Sequence, residues 1–387
     1  MGKTEASPGW LRRNRAALIV LILAAALFVL IRVLVAPEHT APIAAGNYAE
    51  YETGTVVEIL SDSTAPDEAS DGAWRGEQLL LVEVRTGQYR GDTLQVYNYV
   101  GPLYSVPLQT GDRCTLIVST YENGDVQATV YEFDRVVPLI VILALFVLVT
   151  VLVGGRTGAK SLLGLAFTVL CVFLLLFPAL MKGAPTLPST FLLCVYVAAV
   201  SFVILGGVQK KTLCALLGTV AGMALALLFA LIAQGLLRIN GLRGADVEPL
   251  LQLRQTGTPI GLKGLLAAGV ILSALGAVMD VAMSLSSALA EVHAVNPTLD
   301  RKALLRSGMN IGRDMVGTMT NTLILAFLGS GLILTLYIYS LGLSPRQLLS
   351  SAYLAIEVMM AISSSIGVIL AVPITALICA WAYAPKA

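Results

Sequence analysis

Long stretches of apolar residues dominate the chain, and they limit the folds that it can adopt. Eight of them approach or exceed the roughly 20 residues that an α-helix needs to cross the hydrocarbon of a bilayer. Only 13% of the residues are charged, whereas soluble domains carry about 25%. We therefore predict a polytopic α-helical membrane protein with about eight transmembrane helices. The apolar runs are 16–35, 137–153, 161–180, 190–207, 213–237, 264–285, 315–340 and 362–383.

Lysine and arginine residues in the connecting segments indicate the orientation of these helices. If the N-terminus is cytoplasmic, thirteen of them lie in inner segments and six in short outer segments. Cytoplasmic loops of membrane proteins carry such an excess. The first apolar run is longer than the roughly 7–15 residues of a signal-peptide core, so we expect a retained anchor. The sequence thus predicts a multi-pass protein of the cell (inner or plasma) membrane with both termini inside.

Residues 37–135 interrupt the apolar pattern between the first two helices. Sixteen of the 24 acidic residues fall there, and turn-forming residues separate short strand-like segments. Leu80, Val82 and Val84, for example, share one face of a predicted strand. Five such strands predict a small extracytoplasmic all-β domain, either an OB-like barrel or a sandwich. The predicted strands are 48–60, 77–86, 92–99, 113–121 and 125–133, with a hairpin turn at 122–125.

The composition of this domain bears on its partners. Its excess of acidic residues argues against a nucleic acid partner. Four tyrosines are candidates for an aromatic ligand surface, although tyrosines in strands more often pack against their neighbours. Both interpretations stay open at this stage. The tyrosines are Tyr89, Tyr97, Tyr99 and Tyr104.

These patterns divide the chain into four parts. Residues 1–36 form the cytoplasmic N-terminus and the first anchor, and 37–135 form the β-rich domain. Residues 136–263 supply the second to fifth transmembrane helices, whose inner turns are short and basic. The terminal module, 264–387, contains the last three transmembrane helices.

The terminal module ends in an apolar segment that is too long for one span. From residue 346 to residue 383 it would extend ~57 Å as a helix, against roughly 30 Å of hydrocarbon. We expect a helix break at Ser363–Ser365, which would leave 347–360 either interfacial or re-entrant. Glu357 then either faces water or joins a polar core within the membrane.

Asp280 stands in the middle of the otherwise apolar run 264–286. An ionisable side chain at the centre of a membrane helix costs roughly 2.5–3.5 kcal/mol on insertion scales, so such residues normally face a bundle interior, a partner or water. Small and polar residues recur every three or four positions around it, which places them on one helix face. A second polar face follows on the next helix. The first polar face contains Ser273, Gly276, Asp280, Ser284, Ser287 and Glu291, and the second contains Asn310, Asp314, Gly317, Thr318 and Asn321.

The acidic residues on these faces have a functional and a structural interpretation. Asp280 is a candidate proton or cation carrier, or else a structural hydrogen-bonding group with Arg313 or Asn321 as its partner. Asp314, which follows Arg313 directly, takes part either in ion coupling or in a local salt bridge at the inner interface. Glu357 is a third candidate for coupling.

The hydroxyl and amide side chains of the second polar face are equally open to two interpretations. Thr318, Thr320 and Asn321 line a path for an ion or solute, or they join helices by hydrogen bonds, as Thr and Asn often do in membranes. The two interpretations differ in one respect. A path requires these residues to contact water, whereas a helix interface requires them to be dry.

Three segments resemble the YibE/F family of multi-span bacterial membrane proteins. They are GAVMDVAMSLSSAL at 276–289, GRDMVGTMTNTLILAFLG at 312–329 and SIGVILAVPITA at 365–376. The order of an anchor, an extracytoplasmic domain and a helix bundle is also similar. The resemblance implies this architecture but no particular activity, because the family is defined by sequence. It singles out Asp280, Ser284, Gly312, Arg313, Asp314, Thr318, Thr320, Asn321 and Glu357.

Motifs that are missing argue against an enzyme. The chain has no HExxH zinc motif, no Gly-Xaa-Ser-Xaa-Gly run and no Walker spacing, and we predict neither a metal nor a cofactor. Five cysteines, four of them in apolar runs, form no disulfide framework.

The leading function is therefore a secondary transporter or exporter driven by an ion gradient, with Asp280 as the coupling carboxylate. The alternative is a membrane scaffold or sensor whose outer domain binds an envelope ligand or partner. Expected partners are the bilayer, a small ion or solute, and a membrane protein or a second copy of the chain.

Overall fold

The structure is a computed structural model, and it describes residues 8–35, 49–120, 126–239, 248–255, 257 and 259–384. Contacts divide the chain into two units. We call Glu38–Val149 the barrel unit, and Met1–Pro37 with Thr150–Ala387 the helical unit.

The barrel unit contains a closed five-stranded barrel. The strands follow the order β1-β5-β6-β4-β3, and β1 pairs with β3 to close the ring. The β4 and β6 strands are parallel, and the other pairs are antiparallel. This confirms the predicted barrel over the sandwich, while the predicted turn at 122–125 lies outside the described residues. The strands are β1 Ala49–Asp62, β2 Ala65–Asp67, β3 Ala73–Val84, β4 Thr93–Val100, β5 Arg113–Thr120 and β6 Val126–Phe133.

The barrel interior follows from the alternation of residues along each strand. Leu80, Val82 and Val84 on β3 are fully buried, together with Cys114 on β5. Burial, with the charges of nearby acidic residues, raises the pKa of the Cys114 thiol to about 12. Cys114 is therefore a neutral, unpaired core residue.

A buried amide holds one end of the barrel together. The Gln78 side chain accepts hydrogen bonds from the Leu108 backbone N–H and the Asn98 amide, both at 2.9 Å. Its own amide donates to the Leu108 carbonyl at 3.2 Å and to the Asp62 carboxylate at 2.9 Å. These hydrogen bonds hold the loop that precedes β5 against β3 and β4.

Gln78→Leu is expected to lower the free energy of unfolding by about 1–3 kcal/mol, because the buried Leu108 N–H would lose its acceptor. The Asn98 amide would keep only its bond to the Val106 carbonyl. Hydrogen exchange of barrel amides in the full-length protein measures this loss. Gln95→Leu is the matched control, since Gln95 lies on β4 but is exposed. Equal effects of the two substitutions would contradict the role given to the buried amide.

The helical unit consists of packed apolar helices. A π-helical turn, Val172–Leu176, links α2 to α3. Six helical runs in the described residues are long and apolar enough to cross a membrane, and α8 with α9, bent 61° apart, provide a seventh if they count as one span. The helices are α1 Pro8–Leu34, α2 Val136–Cys171, α3 Phe177–Met181, α4 Thr186–Gly206, α5 Lys210–Leu237, α6 Glu248–Gln255, α7 Leu265–Val295, α8 Arg301–Ser330, α9 Leu332–Ser340, α10 Pro345–Leu349 and α11 Ala352–Tyr383.

The α2 helix is interrupted where the sequence predicts an inner loop. Gly155 has non-helical backbone angles, φ 54° and ψ −135°. A Cβ atom on Gly158 would overlap the carbonyl of Thr150. In a straight helix, Thr150 and Gly158 would be ~12 Å apart. Their contact therefore requires the chain to turn back on itself at Gly155.

The predicted break at Ser363–Ser365 is wrong. The α11 helix is continuous over these residues, and all three serines are buried. Breaks lie instead at Gly331, between α8 and α9, and at Ser350–Ser351, before α11. Small residues in α11 serve close packing, since a Cβ on Gly367 would lie 2.7 Å from the Ala226 Cβ on α5.

Contacts between helices define one end of the helical unit, which we call the basic end. Ser286 near the end of α7 donates a hydrogen bond to the Lys211 carbonyl at the start of α5. The Arg301 guanidinium at the start of α8 lies 4.3 Å from the ring centre of Trp381 near the end of α11. The α4–α5 turn, the α7–α8 connection and the end of α11 therefore share this end.

The opposite end is fixed by two hydrogen bonds. The Lys182 ammonium donates to the Leu34 carbonyl at the end of α1, at 3.4 Å. The Thr186 hydroxyl at the start of α4 donates to the Gly261 carbonyl before α7, at 2.7 Å. Because α1 ends here, the start of α1 and the end of α11 lie at the same end of the unit.

Candidate functional site

Asp280 lies in an open groove on the side of the helical unit. The groove has a volume of about 470 Å³ and runs between α2, α4 and α7. The Asp280 side chain is exposed to it. The groove is lined by Ser161, Gly164, Leu165, Thr168, Val169, Val172, Phe173, Ser201, Leu205, Leu272, Ser273, Leu275, Gly276, Met279 and Asp280.

Small and polar side chains make the groove wide and partly polar. Ser273 shares a hydrogen bond of 2.9 Å with Ser364 on α11. The Thr168 hydroxyl donates to the Gly164 carbonyl at 2.9 Å. No atom of another part of the structure lies within 4 Å of a Cβ built on Gly276. These residues leave room for water or a small solute beside Asp280.

The depth of Asp280 follows from its neighbours. The α4 helix has 21 residues and is ~31 Å long, close to the roughly 30 Å of hydrocarbon. Its last residue, Gly206, lies against Met283, since a Cβ there would be 2.8 Å from the Met283 Cε. Asp280 precedes Met283 by three residues and Ser286 by six, which places it ~5–9 Å further into the membrane.

The first polar face is only partly within this groove. Ser273, Gly276 and Asp280 line it. Ser284 is exposed and Ser287 is half-buried, and both follow Asp280 on α7 towards the basic end. The face therefore leads from the groove to the basic end of the unit.

The second polar face does not meet the first. No residue of α8 lines the Asp280 groove. Among the described residues, no ion pair or hydrogen bond joins Asp280 to Arg313 or Asn321. Arg313, Asp314, Thr318 and Asn321 are all exposed on α8.

Hydrogen bonds of the second polar face stay within its own helix. The Thr318 hydroxyl donates to the carbonyls of Asp314 and Met315, both at 3.2 Å. Thr320 lies outside this face, because it is half-buried, and its buried hydroxyl is without a hydrogen-bond partner in the described structure. Most hydrogen-bond donors and acceptors of the second polar face are thus without a partner on another helix in the described structure.

Glu357 belongs to neither face. It is half-buried in the second turn of α11, at the bend between α8 and α9. A Cβ on Gly331 would lie 3.6 Å from its Cγ. Glu357 also lines a small cleft with Thr335 and Tyr353. Glu357 is therefore far from Asp280 along the helix axes.

Sequence reasoning missed the residues that α2 and α4 contribute to the groove. Gly164, Thr168 and Ser201 lie across it from Asp280. Ser161, Gly164 and Thr168 recur every three or four residues, which is the same signal that identified the first polar face. The spacing could have been recognised in the sequence, but it contains no charged residue to draw attention to it.

The barrel unit carries an exposed aromatic surface. Tyr97 and Tyr99 on β4 are stacked, with ring centres 6.3 Å apart, and Tyr104 is 70% exposed. Tyr89 differs, because it is half-buried and packs against the barrel core. A concavity of about 330 Å³ adjoins Tyr99, Tyr104 and Tyr131. Three of the four predicted tyrosines are thus available for a ligand.

Comparisons with known proteins identify a family for the helical unit. Residues 142–385 match the family model described as YibE/F-like protein. No curated protein matches the chain, and no solved structure matches it. The matched range contains both polar faces and the whole Asp280 groove.

Proposed function

The chain belongs to the YibE/F-like family, and from this premise we propose that it is a secondary transporter or exporter coupled to an ion gradient. Asp280 carries the coupling ion, a proton or a small cation. The protein is proposed to act without a catalytic step of its own.

One observation carries this proposal, namely a carboxylate that opens into a groove at membrane depth. A charge there is costly unless water or a cation reaches it. Among the described residues, the groove lining contains no lysine or arginine, so a mobile cation or proton is the natural partner of Asp280. Ser201 and Thr168 supply oxygen atoms nearby for a small cation.

The other acidic residues take supporting roles in this proposal. The first polar face leads towards the basic end and provides the route for the ion. Asp314, with Thr318, Thr320 and Asn321, forms a second polar surface, and Glu357 sits at the bend that would flex if α8 and α9 move.

The membrane arrangement is part of the proposal. The basic end contains Lys210, Lys211, Arg301 and Lys302 and is proposed to be cytoplasmic, which places both termini inside the cell membrane. The 46-residue run Val136–Met181 would be ~69 Å long if straight, so it counts as two spans and gives eight in total. The barrel is extracytoplasmic and, from its strand order, of the OB type.

Cysteine labelling tests whether the groove is wet. In a cysteine-free variant, Gly276→Cys and Ser284→Cys are expected to react with a small charged thiol reagent in native membranes, because water reaches both positions. Ile22→Cys is the control, since Ile22 lies within a lipid-facing span and is 65% exposed. If Gly276→Cys reacts no faster than Ile22→Cys, the groove is dry and the transport proposal fails.

A sensor or scaffold is the second candidate function, and the aromatic surface of the barrel favours it. Tyr97, Tyr99 and Tyr104 present exposed rings to an outer ligand. Exposed tyrosines are common at binding surfaces because they combine an apolar ring with a hydroxyl. A dry groove in the labelling experiment would make this the leading function.

A further inference from the structure

The α8 helix presents its polar side away from the rest of the helical unit. Gly308 and Gly312 are buried on the packed side. The opposite side carries exposed polar and small residues over its middle turns. These are Asn310, Asp314, Gly317, Thr318 and Asn321, with Arg313 at the edge.

The register between α8 and α11 fixes the depth of this face. A Cβ on Gly308 would lie 2.9 Å from the Ala376 Cβ, and one on Gly312 would overlap Val372. The two helices are therefore antiparallel neighbours. By the same register, Leu305 on α8 lies at the level of Cys379 on α11.

That level marks the basic end of the unit. Cys379 lies two residues before Trp381 on α11, and the Trp381 ring centre is 4.3 Å from the Arg301 guanidinium at the basic end. Asp314 lies nine residues beyond this level on α8 and Asn321 sixteen, so they are ~13 Å and ~24 Å into the membrane. The exposed polar face thus spans the middle of the hydrocarbon.

Lipid is a poor neighbour for these side chains, because it cannot hydrogen-bond to them. Among the described residues, the two spans with the least burial offer little to cover them. The apolar segments 16–34 and 136–153 contain one clearly polar residue each, Arg32 and Thr150. A second copy of α8, by contrast, brings the same hydroxyls and amides and both a cation and a carboxylate.

We propose that two copies of this chain associate through α8, face to face, about a two-fold axis along the membrane normal. Both copies have the same orientation in the membrane, so the two helices run parallel and equivalent residues meet. Arg313 of each copy then pairs with Asp314 of the other. Gly317, which has open space around it, allows the close approach typical of membrane helix pairs. This proposal does not depend on the proposed function.

Cross-linking of single cysteines tests the pairing. In a cysteine-free variant, Thr318→Cys is expected to form a disulfide-linked dimer in native membranes under mild oxidation. Ile22→Cys on α1 measures random collision and is expected to stay monomeric. Gly317→Leu, combined with Thr318→Cys, should reduce the dimer several-fold, because the larger side chain separates the helices, while its Cβ has no described atom of another element within 4 Å.

A second measurement makes the result decisive. Single-molecule photobleaching of the protein reconstituted at low density in liposomes is expected to show two copies. The proposal is overturned if Thr318→Cys cross-links no more than Ile22→Cys, or if one copy is counted. Asp280→Asn should leave the cross-link intact, so loss of transport and loss of pairing are distinguishable.

Discussion

Gly222→Val is expected to produce the largest loss of stability of any single substitution considered in the helical unit. Gly222 lies on α5 at its crossing with α7 and α11. A Cβ there would be 2.7 Å from the Val278 Cγ1, 2.9 Å from the Ala371 Cβ and 3.1 Å from the Gly367 carbonyl oxygen. The last atom belongs to the backbone and cannot move aside alone, so the helices must separate.

Overpacking of this kind costs about 1–3 kcal/mol and occasionally more. Valine adds two further methyl groups beyond the Cβ, so we expect the upper part of that range. The measurement is the melting temperature of the purified protein in detergent, with the folded yield as a second readout. Gly235→Val is the matched control, because Gly235 lies on the same helix with no atom within 4 Å of its Cβ.

The control separates packing from helix propensity. Both substitutions replace glycine with the same β-branched residue within α5, so their intrinsic effects on the helix are alike. Equal melting temperatures for the two variants would show that the α5, α7 and α11 contact is loose.

Local patterns were sufficient to predict most of the elements. The period of two in β3, with Leu80, Val82 and Val84 on one face, predicted which side chains fill the barrel. Hydropathy identified the apolar helices, but three of them extend further than predicted, since α7 ends at Val295, α8 begins at Arg301 and α11 begins at Ala352. Glycines at 154–155 marked the interruption of α2. Each of these features is decided by residues close together in the chain.

The arrangement of helices could not be predicted in the same way. Periodicity identified two polar faces but gave no information on what each one contacts. Asp280 faces a groove completed by Gly164 and Ser201 from two other helices, whereas Asp314 faces outwards on α8. The serines at 363–365 suggested a break because small polar residues favour turns, but tight contact with α5 stabilises the helix there.

Asp280→Asn is expected to abolish flux driven by an ion gradient while leaving the fold intact. The substitution keeps the size and shape of the side chain but removes its capacity to bind and release a proton or to neutralise a cation. Among the described residues, no hydrogen bond or ion pair ties Asp280 to a neighbouring helix. Removal of its charge therefore breaks no structural contact, and an unpaired charge in a membrane is itself unfavourable.

Proteoliposomes provide the measurement. An internal pH indicator follows proton movement under an imposed pH or sodium gradient while candidate solutes are added outside, and the melting temperature is recorded in parallel. Glu291→Gln is the matched control, because Glu291 is also an exposed acid on α7 and continues the first polar face, but it lies outside the groove and beyond Ser286 at the basic end. We expect this variant to retain both flux and stability.

The two readouts together discriminate between the roles of Asp280. Loss of flux with an unchanged melting temperature, seen for Asp280→Asn and not for Glu291→Gln, is what an ion carrier requires. A lower melting temperature for Asp280→Asn would instead show that the carboxylate stabilises the bundle through a contact formed in the membrane. Full flux in Asp280→Asn would exclude it as the coupling residue, and the ion would have to cross along the α8 face, where Asp314 is the remaining carboxylate at membrane depth.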